Sequence, residues 1–331
     1  MGRRGGGRGR KWAAATAVVL ATVLTGGLGT VVWADSELRR DVDLGAIPDR
    51  PPHGRGTTYL IVGSDSRAGL SAREKKNLHV GSAEGRRTDS MILLHTGAHG
   101  ATMVSLPRDS WVTVPAWVRP ETGVHHRAAR DKLNAAYAHG GPALLVRTVE
   151  RATGLRIDHY AEIGFQGFVD VVNEAGGVRM CVDRNIRDRD SGTDLRKGCH
   201  TLDGAQALAF VRQRHQEAKG DLGRTMNQQK FLGALAAKVV TPDVLLAPAT
   251  LYPVLGAALD TLVVDKEMGM GDLVSLLRAL GGGNAVRLNV PVSAVGIPTS
   301  RGSAIRWDAD KARGLFTALR EDRPARPGKG A

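Results

Sequence analysis

An uncharged stretch near the N-terminus constrains this chain more than any other feature. Residues from Trp12 to Ala34 carry no charge over 23 positions. As an α-helix they would span about 34 Å, enough to cross the hydrocarbon core of a bilayer. Five basic residues and no acid precede them, and Trp12 and Trp33 stand at the two ends, as interfacial anchors do. The pattern predicts a cytoplasmic tail over 1–11, a transmembrane anchor over 12–34 and an exported body.

The alternative to an uncleaved anchor is a cleavable signal peptide. The apolar core of a signal peptide is shorter, about 7–15 residues, and is followed by a small-x-small cleavage site. Here the apolar run is longer, and VVWADS is a weak cleavage site. With either topology the body of the chain lies outside the cell, so we expect a single-pass membrane protein with an extracellular domain.

The charge balance points to an anionic partner. The chain has 46 Lys and Arg against 33 Asp and Glu, a formal net charge of +13. A basic exported body favours a lipid head group, a phosphate or a wall polymer as its partner, and its location excludes nucleic acid. The 42% hydrophobic and 24% charged composition is that of a globular chain.

The apolar patterns predict an α/β domain over residues 57–321. A polar, proline-containing linker is expected over 35–56 and a disordered tail over 322–331. Strand-like and helix-like segments alternate, and the strand-like ones are continuously apolar, which predicts a three-layer α/β/α sandwich. Two apolar runs at 91–96 and 102–106 flank GAHGA and read as a hairpin, so the central sheet is predicted to be mixed.

The two cysteines agree with export. Cys181 and Cys199 flank a polar stretch that lacks the composition of a core, so we expect a disulfide that holds a loop. The alternative is a pair of free thiols.

Charged residues gather at the ends of three predicted strands. Asp65 and Arg67 follow TYLIVG, Arg87 and Asp89 precede MILLHT, and Arg108 and Asp109 follow MVSLP. In α/β sheets ligands bind in the crevice at strand ends. The three pairs are therefore expected to converge on one site, although ordinary salt bridges at the sheet edge would give the same pattern.

A second basic group lies between residues 212 and 228. Arg212 and Arg214 share a face if their segment is extended, and Arg224 and Gln228 share a face of the next helix. Asp221 stands at the N-terminus of that helix, where free N–H groups favour an anion. Converging arginines repel one another unless an anion lies between them, and pyrophosphate matches their bidentate geometry. The alternative is a solvated basic surface.

Carboxylates beside an arginine cluster suggest Mg²⁺. This ion takes one or two carboxylates and shares the phosphate oxygens of the substrate. Asp65 and Asp89 are the best candidates by position. Phosphoryl transfer needs mainly positioning and charge neutralisation, which such a site would supply.

The chain resembles the LytR-CpsA-Psr (LCP) phosphotransferases of bacterial cell walls, in particular their actinobacterial members. The resemblance covers about residues 58–235 and is carried, in order, by LIVGSDSRAGL, GRRTDSMILLHT, MVSLPRDSWV, KLNAAYAHGG, GFVDVVNEAGGV, LDGAQALAFVRQRH and GDLGRTMNQQKFL. It implies transfer of a glycopolymer with one phosphate from a polyprenyl-pyrophosphate carrier to a peptidoglycan hydroxyl, with the lipid in an apolar tunnel.

The resemblance also implies roles for single residues. Asp65 and Asp89 match the Mg²⁺ ligands of the family, and its signature Lys, Asp and Gln match Lys132, Asp221 and Gln228. The pyrophosphate-binding arginines of the family match Arg87, Arg108, Arg212, Arg214 and Arg224. We take Asp89, Arg108, Asp221 and Arg224 as the catalytic set. One departure is Asn227, which stands where the family usually has an arginine.

Several alternatives stay open on the sequence. A pyrophosphatase would use the same residues, and an anchored binder of wall polymer or a regulator would need no chemistry. The proton acceptor could be Asp89, Asp109 or Asp221. The polymer, whether teichoic acid, arabinogalactan or another glycan, and the oligomeric state do not follow from the residues.

Overall fold

The structure, a computed structural model, describes residues 27–65, 71, 73, 75, 78, 88–119, 122–213 and 221–325. The chain forms two compact units that meet between Leu38 and Arg39. The described part of the first unit is helical over residues 27–37. No helix in these ranges is long and apolar enough to cross a membrane. Most of the anchor predicted over 12–34 lies outside the described residues, so it stays a prediction.

A seven-stranded mixed sheet organises the larger unit. Its strands, in the spatial order β1-β14-β9-β2-β3-β4-β15, are β1 (Arg39–Val42), β14 (Leu262–Asp265), β9 (His159–Ile163), β2 (Thr57–Ser64), β3 (Thr88–Gly97), β4 (Gly100–Ser105) and β15 (Val286–Asn289). β3 is antiparallel to β2 and β4, whereas β9 is parallel to β2 and β15 to β4. The predicted hairpin and the mixed sheet are both confirmed.

The described residues also form five two-stranded sheets. They pair β5 (Trp111–Val114) with β8 (Ala129–Lys132), β6 (Trp117–Val118) with β7 (His125–His126), β10 (Val178–Val182) with β13 (Gly198–Leu202), β11 (Ile186–Asp188) with β12 (Thr193–Leu195), and β16 (Val292–Thr299) with β17 (Gly302–Trp307).

Within the described residues, the larger unit contains the helices α1 (Leu133–Thr153), α2 (Phe165–Glu174), α3 (Gly204–Arg212), α4 (Asp221–Val239), α5 (Pro242–Leu245), α6 (Pro248–Thr261), α7 (Met270–Gly281) and α8 (Ala309–Arg320). Gly140 and Gly141 interrupt α1 with non-helical dihedral angles. Asp203 caps α3 in a capping box with Gln206.

Helices cover both faces of the sheet. Val104 of β4 belongs to the main core cluster, which also contains Leu133 and Leu145 of α1. Successive side chains of a strand point to opposite faces. The next residue, Ser105, accepts a hydrogen bond from Gln229 of α4 at 2.7 Å, so α4 lies on the other face from α1. This is the layer order that the apolar patterns predict.

The linker predicted over 35–56 is wrong for its central part. Arg39–Val42 forms the edge strand β1, which pairs with β14, and Val42, Leu44 and Ile47 are buried in the main core. The prediction failed because an edge strand is stabilised by main-chain hydrogen bonds, whatever its side chains, and because three spaced apolar residues are easily missed in a polar segment.

The tail predicted to begin at residue 322 also packs on the domain at first. Asp322 accepts a hydrogen bond from the backbone N–H of Ala98 at 2.8 Å, and Ala325 is buried in the main core. Residues 326–331 lie outside the described part of the chain.

Arg50 attaches the segment of residues 39–50 to the core. Its guanidinium donates to Glu150 at 2.8 and 3.0 Å and to the carbonyl of Leu44 at 3.1 Å. The side chains of Arg50 and Glu150 are only 9% and 1% exposed. A buried ion pair of this kind is expensive to break, because the remaining charge is left without its partner.

We therefore expect Arg50→Ala to lower the free energy of unfolding by about 3–5 kcal/mol. The control is Arg147→Ala, whose ion pair with the 83% exposed carboxylate of Asp49 should contribute at most about 1 kcal/mol. Urea unfolding followed by circular dichroism measures both values. Equal losses in the two variants would contradict the account of residues 39–50 as part of the fold.

The segment between the cysteines is a hairpin with a buried face. Cys181 and Cys199 form the predicted disulfide and lie opposite each other on the antiparallel strands β10 and β13. The expectation that the segment contributes nothing to a core is wrong, since Ile186 and Leu195 are buried in a cluster with Phe231. The two apolar residues are nine positions apart in the sequence and face each other across the paired strands β11 and β12.

Replacing both cysteines by serine should lower the free energy of unfolding by about 3 kcal/mol, as expected for a closed loop of this size. The measurement is a thermal melt in the presence and absence of a reductant. Reductant should lower the melting temperature of the wild type towards that of the variant and leave the variant unchanged. A reductant-independent wild-type melt would contradict the stabilising role of the disulfide.

Candidate active site

The strand register brings residues of the three predicted charged pairs to one end of the central strands, called here the sheet edge. Ser64 at the end of β2 pairs with Thr88 at the start of β3, and Ile92 of β3 pairs with Ser105 at the end of β4. Asp65 follows β2 directly, Asp89 is the second residue of β3, and Arg108 follows β4 after a short connection. The expected convergence of Asp65, Asp89 and Arg108 at strand ends is therefore present.

Alternating charges link two of these clusters. Nη1 of Arg108 contacts Oδ1 of Asp89, and Nε of Arg108 lies 3.6 Å from Oδ2 of Asp109. Nζ of Lys132 completes the row, 2.9 Å from Oδ1 of Asp109. A backbone hydrogen bond supports this row of ion pairs, because the carbonyl of Arg108 accepts from the N–H of Asn134 in the first turn of α1. Each carboxylate is thus held by at least one cation.

A cavity of about 370 Å³ opens beside this row. Its lining is strongly polar and combines residues from β3, α3, α4 and the β11–β12 hairpin: Asp89, Arg212, Arg224, Gln228, Asp188, Asp190 and Ser191. Four of these seven residues were predicted from the sequence as site residues. The cavity is therefore the meeting point of the strand-end cluster and the second basic group.

Hydrogen bonds hold the first turns of α4 at the sheet edge. Gln228 accepts from the hydroxyl of Ser90 at 3.0 Å and donates to the carbonyl of Val211 at 3.1 Å. Thr225 donates to the side chain of Asn289 at the end of β15. Arg224 lies one helical turn before Gln228 and is 2% exposed, so its guanidinium is held in the interior next to the cavity.

Arg212 reaches the cavity by a different geometry from the predicted one. The prediction placed it in an extended segment, but it is the last residue of α3, and the next residue, Gln213, is the C-cap of the helix. Its Nη1 donates to the carbonyl of Leu78 at 3.0 Å, and its guanidinium carbon lies 5.4 Å from the centre of the Phe165 ring. These contacts orient the guanidinium.

Four residues named from the sequence lie wholly or partly outside the described part of the chain. Arg87 and Arg214 lie outside the described residues, as does Arg67. Asp221 begins α4, but its side chain also lies outside the described part. Their roles therefore stay as the resemblance implies them.

The sequence analysis missed the contribution of the hairpin. Asp188 is 3% exposed, and its Oδ1 accepts from the backbone N–H of Asp190 at 3.0 Å, which shapes the turn. The hydroxyl of Ser191 lies 2.8 Å from that of Thr193. The signal was available in part, because a turn sequence, DRDSG, stands between two cysteines that were expected to be bridged.

The oxygen donors at the sheet edge suit a hard divalent cation. Asp65, 9% exposed, and Asp89 are carboxylates at the adjoining ends of paired strands. The described residues contain no group of three or more His, Cys, Asp or Glu able to hold a metal by themselves. Two carboxylates are what Mg²⁺ takes from a protein when substrate phosphates supply other ligands, so the residues fit this ion.

The clear pKa shifts near the sheet lie at its opposite edge. Burial raises the pKa of Tyr59 to about 12, with nearby carboxylates adding to the effect. Burial opposes the charged form of His159, but its interactions with Asp265 raise the net pKa. Tyr59 and His159 are paired residues at the starts of β2 and β9, about 16 Å along the strand from Ser64. They take no part in the cavity.

Comparison with known proteins identifies the family. A family model described as the LytR_cpsA_psr family matches residues 49–300. The chain is 40% identical over 309 residues to the probable cell wall biosynthesis protein LcpB of Corynebacterium glutamicum, covering 92% of this chain and 69% of LcpB. It is 37% identical over 178 residues to the polyisoprenyl-teichoic acid–peptidoglycan teichoic acid transferase TagT of Bacillus subtilis, covering about half of each chain.

Solved structures share the fold. A LytR-Csp2A-Psr enzyme from Actinomyces oris aligns with a TM-score of 0.62 at 21% identity, over 85% of this chain and 96% of that one. A structure of TagT bound to LI-WTA aligns with a TM-score of 0.58 at 24% identity, over 86% and 94%. The family match over most of the domain, with the LcpB similarity and the common fold, leads to one conclusion: the chain belongs to the LytR-CpsA-Psr family.

Proposed function

We propose that this protein is a phosphotransferase that moves a glycopolymer with its phosphate from a polyprenyl-pyrophosphate carrier to a hydroxyl of peptidoglycan. The observation that carries the proposal is the cavity at the sheet edge, where Arg212 and Arg224 meet Asp89 and its partner Arg108. Guanidinium groups bind phosphate oxygens in pairs of hydrogen bonds, and a pyrophosphate offers enough oxygens for several of them.

The relatives support the same activity. LcpB is named a probable cell wall biosynthesis protein, and TagT is named a transferase that moves teichoic acid from a polyisoprenyl carrier to peptidoglycan. This chain spans 69% of the length of LcpB and half of that of TagT, so the transfer activity is carried over as a proposal.

The residues can support the transfer step without forming a covalent intermediate. The acceptor hydroxyl oxygen forms a bond to the phosphorus that bears the glycopolymer, and the bond from that phosphorus to the bridging oxygen breaks. Polyprenyl phosphate leaves with the electron pair. Arg212 and Arg224 bind and neutralise the phosphate oxygens, while the hydrogen bonds of Gln228 to Ser90 and Val211 hold α4 in place.

Asp65 and Asp89 would hold a Mg²⁺ ion, as their position and donor chemistry suggest. The ion would supply further neutralisation of phosphate charge. Arg108 and Lys132 keep Asp89 and Asp109 in fixed positions through their ion pairs.

The first strand of the larger unit begins at the same end of the sheet as the cavity. Arg39 pairs with Val263, and the adjoining residues Leu262, Ile163 and Gly63 lie in one row across the sheet. We propose that residues 12–34 anchor the chain, so that the domain is extracellular and close to the lipid carrier.

The decisive assay uses the full-length protein in detergent with a short polyprenyl-pyrophosphate glycan, Mg²⁺ and peptidoglycan oligomers. Mass spectrometry should detect a phosphate-linked glycan on peptidoglycan. Arg212→Ala should lower its rate of formation about 100-fold or more, because a group that stabilises developing charge is lost. The control Arg187→Ala, which removes a 76% exposed arginine outside the cavity, should leave the rate unchanged.

Other products would point elsewhere. Free glycan phosphate without the adduct would indicate a pyrophosphatase. Binding of the donor with no product would indicate an anchored polymer binder and contradict the proposal.

A separate measurement tests the metal ligands. Inorganic pyrophosphate should bind more tightly in the presence of Mg²⁺, and Asp65→Asn should lose most of that gain because one of two carboxylate ligands is removed. Isothermal titration calorimetry gives the affinities, with Asp41→Asn, an exposed position outside the site, as the control. An equal Mg²⁺ effect in Asp65→Asn and wild type would exclude Asp65 as a ligand.

A further inference from the structure

The first two turns of helix α1 support the row of ion pairs at the sheet edge. Lys132, the N-cap residue of α1, places its Nζ 2.9 Å from Oδ1 of Asp109. The N–H of Asn134 donates to the carbonyl of Arg108 at 3.1 Å. The positions of Arg108 and Asp109 therefore depend on where the start of this helix lies.

A break separates this helix start from the rest of α1. Gly140 and Gly141 have non-helical dihedral angles, so the regular helix that follows them does not set the direction of residues 133–139. A segment of two turns is too short to be stable alone and takes its position from tertiary contacts. The contacts that hold residues 133–139 on the sheet therefore decide where the row of ion pairs lies.

A buried carboxyl group provides one of these contacts. The hydroxyls of Tyr137 in α1 and Tyr160 in β9 both donate to Glu162, one to each carboxyl oxygen. All three side chains belong to residues that are at most 3% exposed. Tyr137 is four residues after Leu133, so the face of α1 that begins at its first residue is the face joined to Glu162.

Glu162 lies below the sheet edge, on the α1 side of the sheet. It pairs with Val62 of β2, three positions before Asp65, which corresponds to about 10 Å along the strand. Helix α4, which contributes Arg224 to the cavity, lies on the other side of the sheet. The link from Glu162 to the cavity therefore runs through α1 and the row of ion pairs to Asp89.

We propose that Glu162 is a positioning residue for the transfer reaction. Through Tyr137 it fixes the start of α1, and with it the row of ion pairs that ends at Asp89. The inference rests on the proposed transferase function and deepens it, because it adds a residue that acts without touching substrate. A hydrogen-bonded group suits this task, since apolar packing would bury the helix equally well but would specify its position less closely.

The test compares two variants of the full-length protein that each remove one hydroxyl from the same carboxyl group. Tyr137→Phe should lower the rate of transfer to peptidoglycan oligomers about 10- to 100-fold, the order of effect of a misplacement of about 1 Å. Tyr160→Phe is the matched control, because it loses a hydrogen bond within β9 and should keep the wild-type rate. Both variants should lower the melting temperature to a similar extent.

Hydrogen exchange followed by mass spectrometry gives a second readout that does not depend on activity. The N–H groups of residues 133–139 should exchange faster in Tyr137→Phe than in wild type, because the start of α1 has lost its bond to the sheet. In Tyr160→Phe they should exchange at the wild-type rate, since the bond between Tyr137 and Glu162 is intact.

Two results would overturn the inference. A wild-type transfer rate in Tyr137→Phe would show that the site does not depend on this bond. Equal losses of rate in Tyr137→Phe and Tyr160→Phe, with equal exchange of residues 133–139, would make Glu162 a residue of stability alone. If the wild type forms no adduct, the transferase function fails, and the exchange comparison still tests whether Glu162 fixes the start of α1.

Discussion

The antiparallel pairing of β3 with both β2 and β4 is the constraint on which the site depends. It brings the end of β2, the start of β3 and the end of β4 to one edge, although Asp65, Asp89 and Arg108 are far apart in sequence. Arg108 contacts Asp89 at this edge, and the hydrogen bonds of Gln228 and Gln229 fix helix α4 to the same edge. Without this register the arginines of α3 and α4 would not meet Asp89.

Charge complementarity explains how so many ionic groups share a small region. Arg108 is shared by Asp89 and Asp109, and Lys132 binds the second of these carboxylates. Arg212 and Arg224 line the adjoining cavity with Asp89, Asp188 and Asp190. A polyanion that enters this cavity meets fixed guanidinium groups, so little reorganisation is needed when charge develops in the reaction.

Much of the fold could be predicted from the sequence, because long apolar strands and capped helices carry local signals. The hairpin β3–β4 and the mixed character of the sheet follow from such patterns. The edge strand β1 could not be recognised, since its pairing with β14 depends on main-chain bonds to a distant segment. The same limit explains the site: Arg224 and Gln228 follow from helical spacing, but nothing local indicates that Asp190 shares their cavity.

The most direct test of the account is a crystal structure with a non-hydrolysable polyprenyl-pyrophosphate glycan bound. The account predicts that both guanidinium groups, of Arg212 and Arg224, contact the phosphate oxygens. A pyrophosphate bound away from this cavity, with neither guanidinium in contact with it, would contradict the account.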